Sequence, residues 1–202
     1  MEKLKLVLDV PLFVDFIPEH AKIRPGLVPE CKKYIVIHNT GNYNLCCDAR
    51  WHNEYIHAQA VSQTPREASW HFTVDDKEIW QHIPDHESAW HASDGSYGEG
   101  NYYGIGIEIC VNGFPGVYSG LEYDRWEEKF LLACQNGAIL TASLMKKHSI
   151  GLDGIRQHYD FAPDRKNCPM QMRYDKENGV FSRDNGTIYN WFIEKTKGYT
   201  LL

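Results

Sequence analysis

The sequence predicts an α/β sandwich built around a mixed sheet. Two segments carry the strand pattern, KYIVIH (33–38) and IGIEICV (105–111), both β-branched and alternating. Segments of helical period fall between and after them, and strands alternating with helices favour this architecture. A chain of 202 residues fits one domain, and its 43% apolar content is ample for a core.

Taken in order, the start MEKLKLVLDVPLFVDF (1–16) is too often broken by charge and proline to be a secretory signal. Synthesis in a cytoplasm is the expectation. In the first strand Tyr34, Val36 and His38 share a face. Residues 48–62 carry a helical pattern with Asp48 as N-cap. WHFTV (70–74) and EIWQHI (78–83) flank DDK and predict a hairpin, in which His71 points away from Trp70 and toward a helix. A loop rich in Gly and Ser follows over 84–104. The next strand puts Ile105, Ile107, Ile109 and Val111 on one face, with Gly106, Glu108 and Cys110 on the other. The clearest helix spans about 124–148, where Trp126, Phe130, Cys134 and Gly137 recur near the helical period. Asp124 and Glu127 mark its start, and Lys146, Lys147 and His148 its end.

Composition excludes some function classes. A formal charge of −6 argues against a nucleic-acid partner, which calls for a basic stripe. No apolar run approaches the roughly 20 residues that span a bilayer, so no membrane partner is expected. The six cysteines (Cys31, Cys46, Cys47, Cys110, Cys134, Cys168) lack the spacing of a disulfide scaffold and are expected to stay reduced.

Three places stand out chemically. His38 closes the first strand just before the turn NTGN, although one such histidine is more often structural than a ligand. Glu108 puts a carboxylate into an apolar strand, which is costly unless it is paired, faces a groove or protects a sheet edge. The segment HYDFAPDRKNCP (158–169) holds two prolines and presents side chains from a loop. Together His38, His158 and Cys168 make three zinc ligands and leave the fourth tetrahedral position open, as in catalytic sites. Such a site brings the pKa of bound water to about 7. Glu108 then serves as general base, and Lys166 reaches the same pocket to stabilise an oxyanion.

These blocks resemble a known family. YIVIHNTGN (34–42), ASWHFTVDDKEIWQHIPDHESAWHA (68–92), GIGIEICVNG (104–113) and HYDFAPDRKNCP (158–169) are similar to the zinc-dependent N-acetylmuramoyl-L-alanine amidases of type 2. That family is related to peptidoglycan recognition proteins, and the blocks look most like endolysins of Gram-positive phages and prophages. The resemblance implies a mixed central β-sheet flanked by helices on both faces, in a single catalytic amidase domain over 1–202. It implies one Zn²⁺ per chain on His38, His158 and Cys168, with Glu108 and Lys166 catalytic. Peptidoglycan is then the partner of a monomer, cut at the bond between N-acetylmuramic acid and L-alanine. Action on the cell wall would follow holin-type or other lysis-linked release. The alternatives are a cytoplasmic amidase that recycles muropeptides and a recognition protein without catalysis. The end, EKTKGYTLL, would suit a domain that stops just before a linker.

Two departures qualify the resemblance. Many members place the last ligand eight residues after the second histidine, whereas here Lys166 is at eight and Cys168 at ten. The longer gap resembles the recycling amidases of Gram-negative bacteria, which use Asp in place of Cys. Trp70 also stands where several relatives carry a catalytic tyrosine, and an indole donates one hydrogen bond but does not titrate usefully. Asn39, Thr40, Trp70, Trp90 and His91 are candidates to bind substrate, with turn formation and packing as the plain alternatives. A second metal site on His82, His86 and His91 is disfavoured by the intervening proline. Cys46 and Cys47 are expected to be inert, and Arg24-Pro25-Gly26 to border the groove.

Overall fold

The computed structural model describes residues 2–7, 9–113, 120–175, 178–182 and 186–201. Met1, Leu8 and Leu202, which belong to terminal segments discussed above, lie outside the described residues. Strands β1 (Glu2–Val7) and β2 (Val10–Val14) form an antiparallel hairpin. β3 (Tyr34–Asn39) leads into helix α1 (Ala49–Val61), where Asp48 accepts from the Trp51 amide at 2.8 Å as the predicted N-cap. The predicted hairpin pairs β4 (Phe72–Val74) with β5 (Ile79–Gln81). Short helix α2 (Glu99–Tyr103) runs straight into β6 (Gly104–Ile109). Long helix α3 (Gly120–His148) is followed by β7 (Ile155–Gln157) and the single turn α4 (His158–Phe161). A small ribbon of β8 (Tyr174–Asp175) and β9 (Val180–Phe181) precedes α5 (Thr187–Thr200).

The main sheet has the order β1-β2-β5-β4-β6-β3-β7. β3 runs parallel to β6 and β7, and β4 parallel to β6, while the hairpins are antiparallel, so the sheet is mixed. The alternation in β6 divides two cores. Ile105, Ile107 and Ile109 are fully buried with Ile35 and Ile37 against Trp126, Phe130 and Cys134 of α3 and Phe192 of α5. Each such side chain is worth about 1.5–3 kcal/mol of burial. On the other face Cys110 packs with Ala49 and Trp80 beneath α1. Helices therefore cover both faces.

Several expectations change: α2 forms inside the segment expected as a loop over 84–104, and the turn α4 opens the segment 158–169, also expected as a loop. The long helix spans Gly120–His148, so Asp124 lies inside it rather than at its cap, and Glu127 accepts from the Tyr123 hydroxyl at 3.1 Å. His71 faces no helix: its Nε2 donates to the Glu87 carbonyl at 2.9 Å, and its Nδ1 accepts from the Gly106 amide at 2.9 Å. Its two ring nitrogens thus tie the 84–91 loop to β6.

Candidate metal centre and groove

Parallel strands open their carboxyl ends onto one rim, and the singled-out residues gather there. β3 delivers His38 at its end, β6 delivers Glu108, and β7 hands directly to His158 at the start of α4. His38 Nδ1 lies 3.0 Å from His158 Nδ1. One ring nitrogen of each histidine and Cys168 Sγ all fall within 4.8 Å of one another. Residues 38, 158 and 168 are thus brought together as a possible metal site. Among the described residues no second trio gathers: His82 is buried between Thr73 and Asn53, and His86 is exposed.

The Cys168 loop is tied down from several sides. Its carbonyl accepts from the Tyr159 amide at 2.9 Å, and the Asn39 amide approaches its sulfur at 3.2 Å. Buried Arg173 bonds the Asn167 side chain at 2.9 Å and lies 4.6 Å over the Tyr159 ring. Asn39 Oδ1 accepts from the amides of Gln171 at 3.1 Å and Met172 at 3.4 Å. The Asn39 side chain is therefore spent on the fold, although the residue lines the groove.

The electrostatics of the trio suit a cation. Burial, then His158 and His91, hold His38 well below the usual imidazole pKa, and burial with Lys166 brings His158 to about 4. Burial pushes the Cys168 thiol up, opposed by the Asn39 amide, Lys166 and Arg173. Burial also raises Glu108 to about 8, against the pull of Arg66 and Lys166. Glu108 Oε2 is buried without a hydrogen-bond partner. Neutral imidazoles, a thiol poor at ionising alone and an orphaned carboxylate oxygen fit a divalent metal with a bound water, which supplies the missing positive charge and donor. β6 is internal to the sheet, so Glu108 does not serve as edge protection.

The site floors a groove of about 1270 Å³. Thr40, Trp70, Trp90, His91 and Lys166 line it as expected, and Trp51, Tyr55 and Arg66 were not anticipated. Trp51 and Tyr55 stack at 5.6 Å on α1, which spacing along that helix could have signalled. Arg24 does not border the groove. Its guanidinium grips Glu87 at 2.6 and 2.8 Å beneath the 84–104 loop. Lys32 adds bonds to the carbonyls of Glu87 at 2.6 Å and Gly104 at 2.9 Å.

Trp70 is held by a chain of bonds. Asn53 Nδ2 donates to Asp15, so its oxygen accepts from His82 Nδ1 at 2.9 Å. His82 Nε2 then accepts from Thr73 Oγ1 at 2.9 Å, and Thr73 in turn accepts from Trp70 Nε1 at 2.7 Å. The indole N–H is consumed inside the protein. Trp70 offers the groove a ring, and no polar substitute for a tyrosine hydroxyl.

Fold and site define an α/β domain with a half-open His/His/Cys pocket and an adjacent carboxylate at the mouth of parallel strands. The chain belongs to the N-acetylmuramoyl-L-alanine amidase family Amidase_2, whose model matches residues 29–171. It is 37% identical to the N-acetylmuramoyl-L-alanine amidase XlyA of Bacillus subtilis (strain 168), covering 81% of this chain and 48% of that protein. CwlH of the same organism is also 37% identical, over 78% of this chain and 55% of its own. The chain spans about half the length of these relatives. The solved catalytic domain of XlyA is 33% identical, with a TM-score of 0.70 over 93% of this chain and 99% of that one. PlyL is 26% identical, with a TM-score of 0.67 over 93% and 96%.

Proposed function

We propose that this chain is a single catalytic domain that hydrolyses the amide between the lactyl group of N-acetylmuramic acid and the L-alanine of peptidoglycan. The observation that carries this is the convergence of His38, His158 and Cys168 with the orphaned Glu108 oxygen, in a chain whose relatives XlyA and CwlH are named for that activity. His38 Nδ1, His158 Nδ1 and Cys168 Sγ would hold one zinc. Zinc bound there would acidify water and polarise the scissile carbonyl. Glu108 takes the proton of the attacking water on its free oxygen and returns it to the leaving L-alanine nitrogen. Lys166, half-buried on the groove wall, steadies the charge that develops on the carbonyl oxygen. Trp70, Trp90 and Thr40 are surfaces for the glycan or stem peptide. No helix among the described residues is long and apolar enough to cross a membrane, and the cell wall is the site of action we propose.

The test is digestion of purified Gram-positive walls with and without a zinc chelator. Lysis that stops on chelation and returns with Zn²⁺ supports the reading, and full activity after verified metal removal refutes it. Activity on soluble muropeptides with none on intact walls would instead mark a recycling amidase.

A further inference from the structure

We infer that His91 is a positioning residue for the metal centre, holding His38 in the one tautomer that presents Nδ1 as a bare ligand nitrogen. This rests on the metal reading above and reassigns His91 away from substrate binding.

The chain of protons runs from the backbone inward. A carbonyl oxygen can only accept a hydrogen bond. The Gly104 carbonyl lies beside the His91 ring, and the tautomer with its proton on Nε2 leaves Nδ1 bare toward His38, so we assign that one. His38 Nε2 lies 3.0 Å from that bare Nδ1 and must donate to it. His38 Nδ1 is then left without a proton, facing the site. His158 follows the same pattern: Ser93 Oγ lies 3.1 Å from its Nε2 and can accept a proton there, so we assign its proton to the side away from the site. Two bare Nδ1 atoms thus meet at 3.0 Å. Lone pairs facing one another at that distance repel, and a shared cation resolves the conflict. Outer hydrogen bonds of this kind fix ring orientation and ligand basicity in metal sites generally.

The packing shows that the His91 ring is placed for this task. It is only 7% exposed and meets the His38 ring edge-on, 5.1 Å away at 87°. Its other side leans on His71 at 5.8 Å. The slot exists because β6 has glycine at 106, where a Cβ would come within 2.7 Å of the ring. Asn101 Oδ1 accepts from the amides of His91 at 2.7 Å and Ala92 at 2.6 Å, which pins the loop.

The experiment measures zinc affinity by chelator competition on the full chain, with melting of the metal-free protein as a check on the fold. His91→Phe keeps a ring without an acceptor and should bind zinc roughly 10–100-fold more weakly. His91→Asn carries an amide oxygen near the Nδ1 position and should stay within a few-fold of wild type. Wild-type affinity in His91→Phe overturns the inference, and so does equal weakness in both variants. A wild-type chain that takes up no zinc overturns the metal reading with it. Imidazole ¹⁵N spectra of the metal-free wild type need no variant: they should show His38 protonated on Nε2, and the opposite tautomer refutes the role.

Discussion

Glu108 Oε1 lies 3.9 Å from His38 Nδ1, and the two residues are register partners on the parallel strands β6 and β3. Sheet pairing alone thus sets the proposed base beside the proposed ligand. Thr73 flanks Glu108 on β4, but its hydroxyl proton goes to His82. Glu108 Oε2 is left buried without a hydrogen-bond partner, and a water on the proposed metal would supply one.

Glu108→Ala should keep the zinc and the fold, because the carboxylate is not a ligand, and lose about 10²–10⁴-fold in rate. Metal analysis and turnover on one preparation decide this. A zinc-free variant would make Glu108 a ligand, and a fully active one would make it structural.

The raised pKa of Glu108 gives a stability signature in the metal-free protein. The folded carboxyl holds its proton up to about 8, whereas the unfolded one releases it near the ordinary value of 4.5. The folded state then binds more protons between these values, so stability falls as pH rises through that window and levels off above it. Glu108→Gln should remove this loss. Its melting temperature should match wild type below pH 4.5 and exceed it increasingly toward pH 8. A difference that does not vary with pH contradicts the shift.

Cys168→Ser should lose both metal and activity, since a neutral hydroxyl is a far poorer zinc ligand than a thiolate. Lys166→Ala should retain zinc and lose about 10²–10³-fold in rate, as for a missing oxyanion partner. Loss of zinc from Lys166→Ala would show that the lysine supports the loop instead.

Asn39→Ala strands the buried amides of Gln171 and Met172, each bonded to Asn39 Oδ1. Unfolding stability should fall by about 1–3 kcal/mol. Zinc affinity should fall as well, because the Cys168 loop loses its anchor. Unchanged denaturant midpoints would place Asn39 with the substrate after all.

Much of this was legible in the sequence because it is local or periodic. The isoleucine alternation of β6 fixed which face Glu108 occupies, and Asp48 marked the start of α1. The residues of the candidate metal site were legible through blocks in a fixed order. What escaped was long-range: the His38–His91 bond joins residues 53 apart, and the Asn39–Met172 bond residues 133 apart. No local pattern encodes such pairs. The β1–β2 hairpin escaped too, since charges and Pro11 mask the alternation of strands at the sheet margin. The role of Trp70 was not legible because the chain of bonds that holds it runs from Thr73 on β4 through His82, just past β5, to Asn53 on α1.

The most direct test is the chemistry of the released ends when purified Gram-positive walls are digested. New L-alanine amino termini should appear in step with loss of turbidity, and no new reducing sugars should form. Reducing ends rising in parallel, without free L-alanine, would mean a glycosidic bond is being cut and would contradict the amidase assignment.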